Sequence, residues 1–244
     1  MQQLKKRFEE LAGRAAGRGC WTFSEFLNLA EQDTLCRLSL DAPFALEGGY
    51  PSAERKIAMF GSESDCAYLA TAPICCLCVT PLSQKFADAL THRDFLGALT
   101  GLGIRREVLG DIIVSENRGY VFCLETMADY IREQFTQVKH TSVKVSLEEA
   151  PPPMVVEPPE ITRSNIASER LDAIVAAVYK LSRGESQKLF EQGKIFVNSR
   201  MTENTSAGLK PGDMISVRGM GRFSYEGIEA ETRKGRLRVN VRIY

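Results

Sequence analysis

Residues 168–217, SERLDAIVAAVYKLSRGESQKLFEQGKIFVNSRMTENTSAGLKPGDMISV, decide how this chain is read. Leu171, Ile174, Val175 and Val178 recur at i, i+3, i+4 and i+7, the stripe of a half-buried helix, and Ser168 stands where a cap is expected. A second helix is expected from Ser182, with Arg183 just inside it, Leu189 and Phe190 on its apolar side and Gly193 as its stop. Ile195-Phe196-Val197 reads as a strand and Asn198-Ser199-Arg200 as a turn. Lys210-Pro211-Gly212-Asp213 reads as another turn, and Met214 to Arg218 as a second strand. Arg170, Arg183, Lys188, Lys194, Arg200 and Arg218 are expected on one side of this unit. Such a surface suits a phosphate backbone, which is contacted by Lys, Arg, Ser, Asn and helix N-termini.

The combination of Arg170-Leu171-Asp172, Ser182-Arg183, the run Gly193 to Asn198 and the run Lys210 to Ile215 resembles the S4-type RNA-binding domain over about residues 164–244. That family often has Gly after the Asn, where this chain has Ser199. The resemblance implies RNA contacts at Arg170, Ser182, Arg183, Lys188, Lys194, Asn198 and Arg200. Arg170-Leu171-Asp172 also spells the short motif around the catalytic Asp of a pseudouridine synthase. Here it opens a helix inside the small unit, so Asp172 is expected to act as a helix-start carboxylate that orients Arg170.

The chain has 244 residues, 44% hydrophobic and 25% charged, which fits one to three globular domains. Its formal net charge is zero, yet residues 162–244 carry 15 Lys and Arg against 9 Asp and Glu, a balance of +6. Residues 1–161 carry 16 against 22, a balance of −6. The basic surplus is confined to the C-terminal third, as in a nucleic-acid-binding module. No run approaches the ~20 apolar residues of a membrane helix, and Lys5, Lys6 and Arg7 are followed by Glu9 and Glu10 rather than a signal-peptide core. A cytoplasmic monomer is expected. Seven cysteines, an odd number set among apolar runs, read as reduced thiols. Cys75, Cys76 and Cys78 lack a second Cys pair or a nearby His to complete a tetrahedral metal set, so no metal and no cofactor are expected.

Taken in order, residues 1–18 form an amphipathic helix with Leu4, Phe8 and Leu11 on one side. A second helix is expected from Thr22 or Ser24 to Leu38, opened by a Thr22–Glu25 capping box. Tyr68–Thr80, Asp111–Ser115, Tyr120–Glu125 and Thr141–Leu147 read as strands, with helices over Ser83–Leu102 and Met127–Val138. The resulting β-α-β-β-α-β order is the split βαβ arrangement of many RNA-binding modules. Arg118, Gly119, Tyr120 and Phe122 fit the RRM strand motif, while Val121, Cys123 and Glu125 do not. Two readings stay open: a degenerate base-stacking platform, or a hairpin whose aromatics are buried under another domain. Five prolines between Pro151 and Pro159 mark a stiff linker. Beyond it, Leu237, Val239, Val241 and Ile243 alternate with Arg238, Asn240, Arg242 and Tyr244, giving a hairpin with one apolar and one basic face. Arg233, Lys234 and Arg236 at its turn read either as a solvated edge kept from aggregating by charge or as an extension of the expected phosphate-binding surface. The fold class is therefore α+β: a helical segment over 1–64, an RRM-like domain over 65–150, a linker over 151–161 and an S4-type domain over 162–244.

Gly48-Gly49-Tyr50 with Ala53-Glu54-Arg55, the His92–Leu99 run, the Leu102–Ile112 run, the proline linker and the terminal unit together resemble the YlmH family along essentially the whole chain. The resemblance implies a non-enzymatic protein that binds ribosomal RNA on the large ribosomal subunit, with tRNA as a further partner, and acts on stalled translation. A link to cell division is also associated with the family. Arg93, Arg105 and Arg106 become secondary RNA candidates. Two other readings stand beside this one. An RNA-modifying enzyme is disfavoured because no large catalytic domain or Gly-rich donor-binding loop is present. A protein-interaction factor would use the acidic front half and bind RNA only secondarily.

Overall fold

The structure, a computed structural model, describes residues 2–149, 158–232 and 235–244. The chain divides into two compact units, Met1–Glu157 and Pro158–Tyr244. Most of the proline-rich linker, residues 151–157, and Arg233 and Lys234 lie outside the described residues.

The first unit opens with α1 (Gln2–Arg18), β1 (Thr22–Phe23), α2 (Leu29–Cys36), β2 (Phe44–Glu47), β3 (Ile57–Phe60) and α3 (Glu63–Cys66). The strands form an antiparallel sheet in the order β1-β3-β2. Phe8, Leu11, Ala12 and Ala15 on the inner face of α1 pack with Leu35, Ala58 and Phe60. The expected helix from Thr22 is corrected here. Thr22 and Phe23 pair with Phe60 and Met59, and the Ser24 amide continues the pairing to the Ala58 carbonyl. Extended backbone suits these residues, because β3 offers them an apolar partner. The capping box is Asn28–Glu31 rather than Thr22–Glu25: the Glu31 amide donates to Asn28 Oδ1 and the Asn28 amide to Glu31 Oε2.

β4 (Ile74–Pro81), α4 (His92–Gly101), β5 (Leu109–Ser115), β6 (Arg118–Leu124), α5 (Glu125–Gln134), β7 (Gln137–Val138) and β8 (Thr141–Glu148) complete the unit. Their five-stranded sheet has the order β5-β6-β4-β8-β7 and every neighbouring pair is antiparallel. Leu77, Val79 and Val121 on one sheet face bury Phe95 and Leu99 of α4 and Ile131 of α5. β4 starts at Ile74, not at Tyr68. Ala67 leaves α3 in the left-handed region, and Pro73, which has no N–H to give a ladder, offers its carbonyl to Glu125. The helical stretch over Ser83–Leu102 is a single 3₁₀ turn at Gln84–Phe86 followed by α4, which starts at a Thr91–Asp94 capping box. α5 ends at Gln134, and Phe135 beyond it turns into the core.

The second unit holds β9 (Ile161–Ile166), α6 (Leu171–Tyr179), α7 (Arg183–Glu191), β10 (Ile195–Val197), β11 (Arg200–Met201), β12 (Met214–Val217), β13 (Gly221–Glu231) and β14 (Leu237–Ile243). The strands form one antiparallel sheet in the order β11-β10-β12-β13-β14-β9. Leu171, Ile174, Val175 and Phe190 from the two helices bury Ile195, Ile215, Val217, Phe223, Tyr225, Val239 and Val241 on one sheet face. β9 was not anticipated. Ile161-Thr-Arg-Ser-Asn-Ile166 is too polar to read as a strand, and it is ordered by its pairing with β14. Among the described residues, no helix is long and apolar enough to cross a membrane.

Candidate nucleic-acid interface

The N-terminus of α6 is capped by Arg170, not Ser168, because Ala173 and Ile174 already donate to the Arg170 carbonyl. The Arg170 guanidinium forks onto the Asp172 carboxylate, Nε to Oδ1 and Nη2 to Oδ2, both at 3.0 Å. Nη2 also reaches Thr205 Oγ1 at 3.1 Å. Asp172 is a hub. Its amide donates to the Thr205 carbonyl, its own carbonyl accepts from Ser186 Oγ, and its Oδ1 accepts from the Ala173 amide. Burial works against the Asp172 charge, but the Arg170 hydrogen bonds and charge, the Ala173 amide and the nearby Arg183 outweigh it, so the carboxyl titrates below its usual range. Arg170 therefore ties the loop after β11 to the start of α6, with its guanidinium still partly in water.

Ser182 caps α7 as expected, in a capping box with Glu185. Ser182, Arg183 and Lys188 are exposed. Arg183 occupies the first turn of α7, the positive end of the helix, where a cation is unfavourable unless an anion joins it. Arg183 adds to the field that keeps Asp172 ionised, so the N-termini of the two helices bring Arg170, Arg183, Asp172 and Glu185 into one charged group.

Lys194 and Arg218 form another. The Arg218 amide donates to the Lys194 carbonyl at 3.0 Å, and the Arg218 guanidinium lies 4.8 Å above the Phe196 ring. Asn198 and Arg200 stand at the opposite end of the short β10 ladder. Asn198 and Ser199 both have positive φ, +48° and +63°, as a two-residue hairpin turn with right-handed strand twist requires. The Asn198 side chain is committed within the fold: its Nδ2 donates to Asp213 Oδ1 and its Oδ1 accepts from the Met214 amide. Arg236 lies in the turn at the far end of the long β13–β14 hairpin, where its amide donates to Thr232 Oγ1. The basic face expected of this hairpin is partly neutralised, by Arg242–Glu226 at 3.5 Å and Arg163–Glu229 at 3.0 Å.

In the first unit Arg93 is exposed on the first turn of α4. Arg105 pairs with Glu25 at 2.6 Å, and Arg7 binds the other oxygen of the same carboxylate. Arg106 is half-buried and reaches the Gly110 carbonyl; burial and then the neighbouring Arg55 lower its pKa.

Of the two readings of Tyr120 and Phe122, the structure shows the buried one. Their exposures are 4% and 1%. Gly49 lies against the Phe122 ring with φ +89°; a Cβ there would be 2.7 Å from Phe122 Cδ1. Tyr50 then covers Phe122, ring centroids 4.9 Å apart, and its hydroxyl donates to Asp111 Oδ2 at 2.7 Å. Asp111 also takes the amides of Glu54 and Arg55. The buried Arg55 side chain binds the carbonyls of Phe26, Arg106 and Leu109. Sequence reasoning noted the Gly-Gly-Tyr and Ala-Glu-Arg runs without a role. An Arg set between Ala53 and Ile57 was the available signal that a charge goes inside.

A protein of Bacillus subtilis, "Ribosome-associated protein quality control protein P2", is 34% identical over 230 residues, covering 88% of this chain and 84% of that protein. The chain belongs to the YlmH family. Residues 75–151 match the family described as "Putative RNA-binding domain in YlmH". In this YlmH-family chain that stretch runs from β4 through β8, so it contains the sheet face closed by Tyr50. The structure is also similar to "Cell division protein ylmH from Streptococcus pneumoniae", at 19% identity and a TM-score of 0.49 over 63% of this chain and 92% of that one.

Proposed function

We propose that the chain is a non-enzymatic, cytoplasmic RNA-binding protein that acts at the ribosome. It would hold structured ribosomal RNA of the large subunit, with tRNA as a second contact, in the rescue of stalled translation. The observation that carries this reading is the relation, along most of both chains, to a protein named for ribosome-associated quality control. The second unit supports it locally. Its helix pair and short hairpin read as an S4-type module, whose exposed Ser182, Arg183 and Lys188 offer a capped helix N-terminus with two solvent-facing cations. The five-stranded sheet reads as RRM-like in strand order, but with its aromatic face used internally. The Asp172 ion pair with Arg170, which anchors a loop, supports a structural rather than a catalytic use of that carboxylate.

Phosphate contacts displace counterions, so each cation lost should lower both affinity and salt dependence. Arg183→Glu with Lys188→Glu should abolish co-sedimentation with large ribosomal subunits, while circular dichroism stays that of the wild type. Unchanged co-sedimentation overturns the proposal.

A further inference from the structure

Cys75 and Cys123 face each other across the β4–β6 ladder. They are register partners in an antiparallel pair, and their sulfurs are 3.4 Å apart. Directly opposed residues in such a pair have Cα atoms about 4.5–5.5 Å apart, inside the roughly 4.4–6.8 Å that a disulfide spans. Both side chains point to the helix-covered side of the sheet. Cys76 and Cys78 are on the other side and sit two residues apart along one strand. Their Cβ atoms are therefore about 7 Å apart, too far for the ~3.8 Å that a disulfide needs.

The two sulfurs are not equivalent. Cys123 is fully buried, whereas Cys75 is half-buried near the start of β4. The two thiols share a hydrogen bond, and Cys75 Sγ also donates to the Cys123 carbonyl at 3.8 Å; the contact with Cys123 eases the Cys75 thiol toward its thiolate against the opposing effects of burial and of Glu125 and Asp129. The same contact and burial hold Cys123 protonated. Cys76, by contrast, is pushed up to about 12 by burial and its neighbouring thiols and Glu148. Glu125 and Asp129 on α5 place negative charge beside Cys75.

We propose that Cys75 and Cys123 are a reversible oxidation site for small uncharged hydroperoxides. The Cys75 thiolate attacks the terminal oxygen of the hydroperoxide: an S–O bond forms, the O–O bond breaks, and the remaining alkoxide leaves as the alcohol after taking a proton. Cys75 is then a sulfenic acid, oxidised by two electrons. The Cys123 sulfur attacks it: the S–S bond forms, the S–O bond breaks, and the hydroxide leaves with the Cys123 proton as water. One hydroperoxide is reduced for each disulfide formed, and a dithiol reductant restores both thiols. The acidic surroundings select against anionic oxidants such as glutathione disulfide.

The test uses the full chain, reduced and then exposed to hydrogen peroxide or to glutathione disulfide, alkylated, digested and mapped by mass spectrometry. Hydrogen peroxide should yield the Cys75–Cys123 cross-linked peptide in most chains, reversed by dithiothreitol, and glutathione disulfide should yield several-fold less. In Cys123→Ser, dimedone should label Cys75 after peroxide. The wild-type map stands by itself if that variant does not fold. The proposal is overturned if Cys75 and Cys123 both remain alkylated at a peroxide dose that oxidises the exposed Cys36, or if cross-links scatter among the seven cysteines.

Discussion

In the five-stranded sheet, the face turned away from α4 and α5 carries Tyr120 and Phe122, and the Gly49–Tyr50 loop lies over them. In the six-stranded sheet, the face turned away from α6 and α7 carries Phe196, Ser216 and Arg222 in one register line. There Arg218 lies over Phe196, and Arg222 lies 5.5 Å from the Tyr244 ring. Both sheets thus place aromatics on the face opposite their helices. In the first they are core, sealed by a loop that a buried arginine and Asp111 hold down. In the second they stay near water with guanidinium groups stacked on them. The same residue type supports stability in one unit and a solvent-facing cationic surface in the other; what differs is whether another segment of chain covers it.

The comparison is most exposed to Phe122→Ala. Removing a fully buried ring beneath Tyr50 should cost about 3–5 kcal/mol, read as a lower urea midpoint for the first unit. RNA binding should remain at concentrations of urea where the variant is folded. A folded, stable Phe122→Ala protein with weakened RNA binding would break the distinction, because the closed face would then be contacting RNA.

The parts legible in the sequence are those set by near neighbours. Asn198-Ser199, read as a turn, supplies the positive φ values of a hairpin, and Ser182 marks the start of α7. Where several near neighbours compete, the pattern misleads. Thr22–Glu25 and Asn28–Glu31 both spell a capping box, and only pairing with β3 decides between them. What was not legible depends on distant partners. Tyr50 meets Asp111 at a separation of 61 residues and Arg170 meets Thr205 at a separation of 35. The Arg170–Asp172 pair, two residues apart, was legible, but the Thr205 hydroxyl that Arg170 also holds was not, because it arrives only in the folded unit.

Asp172→Asn sharpens that point at a smaller scale. The amide keeps the shape but removes the charge that Arg170 grips. The cost should be about 1–2 kcal/mol near neutral pH, since a hydrogen bond to a charged group is worth about 1.5–3 kcal/mol and Arg170 remains partly in water. The sign of the pH dependence follows from the lowered carboxyl pKa. The wild type holds this stability at pH above the unfolded value of about 3.9 and loses it as pH falls through the lower folded value. Urea titrations at pH 7 and at pH 2–3 should therefore show the two proteins converging in acid. An equal gap at both pH values would mean the carboxylate is not what holds Thr205.

The smallest effect belongs to the outer face of the second sheet. Arg163 on the edge strand β9 pairs with Glu229 of β13, both at least a third exposed. Exposed ion pairs contribute about 0–1 kcal/mol, so Arg163→Ala should move the unfolding midpoint by little. RNA binding is the more telling readout. Because Glu229 already neutralises Arg163, the loss of Arg163 should leave the salt slope of RNA binding close to wild type, whereas the loss of the exposed Arg183 should reduce it by roughly one phosphate's worth. Equal reductions for the two variants would place Arg163 on the bound phosphates. The open sheet face, rather than the helix N-termini alone, would then be the surface that meets RNA.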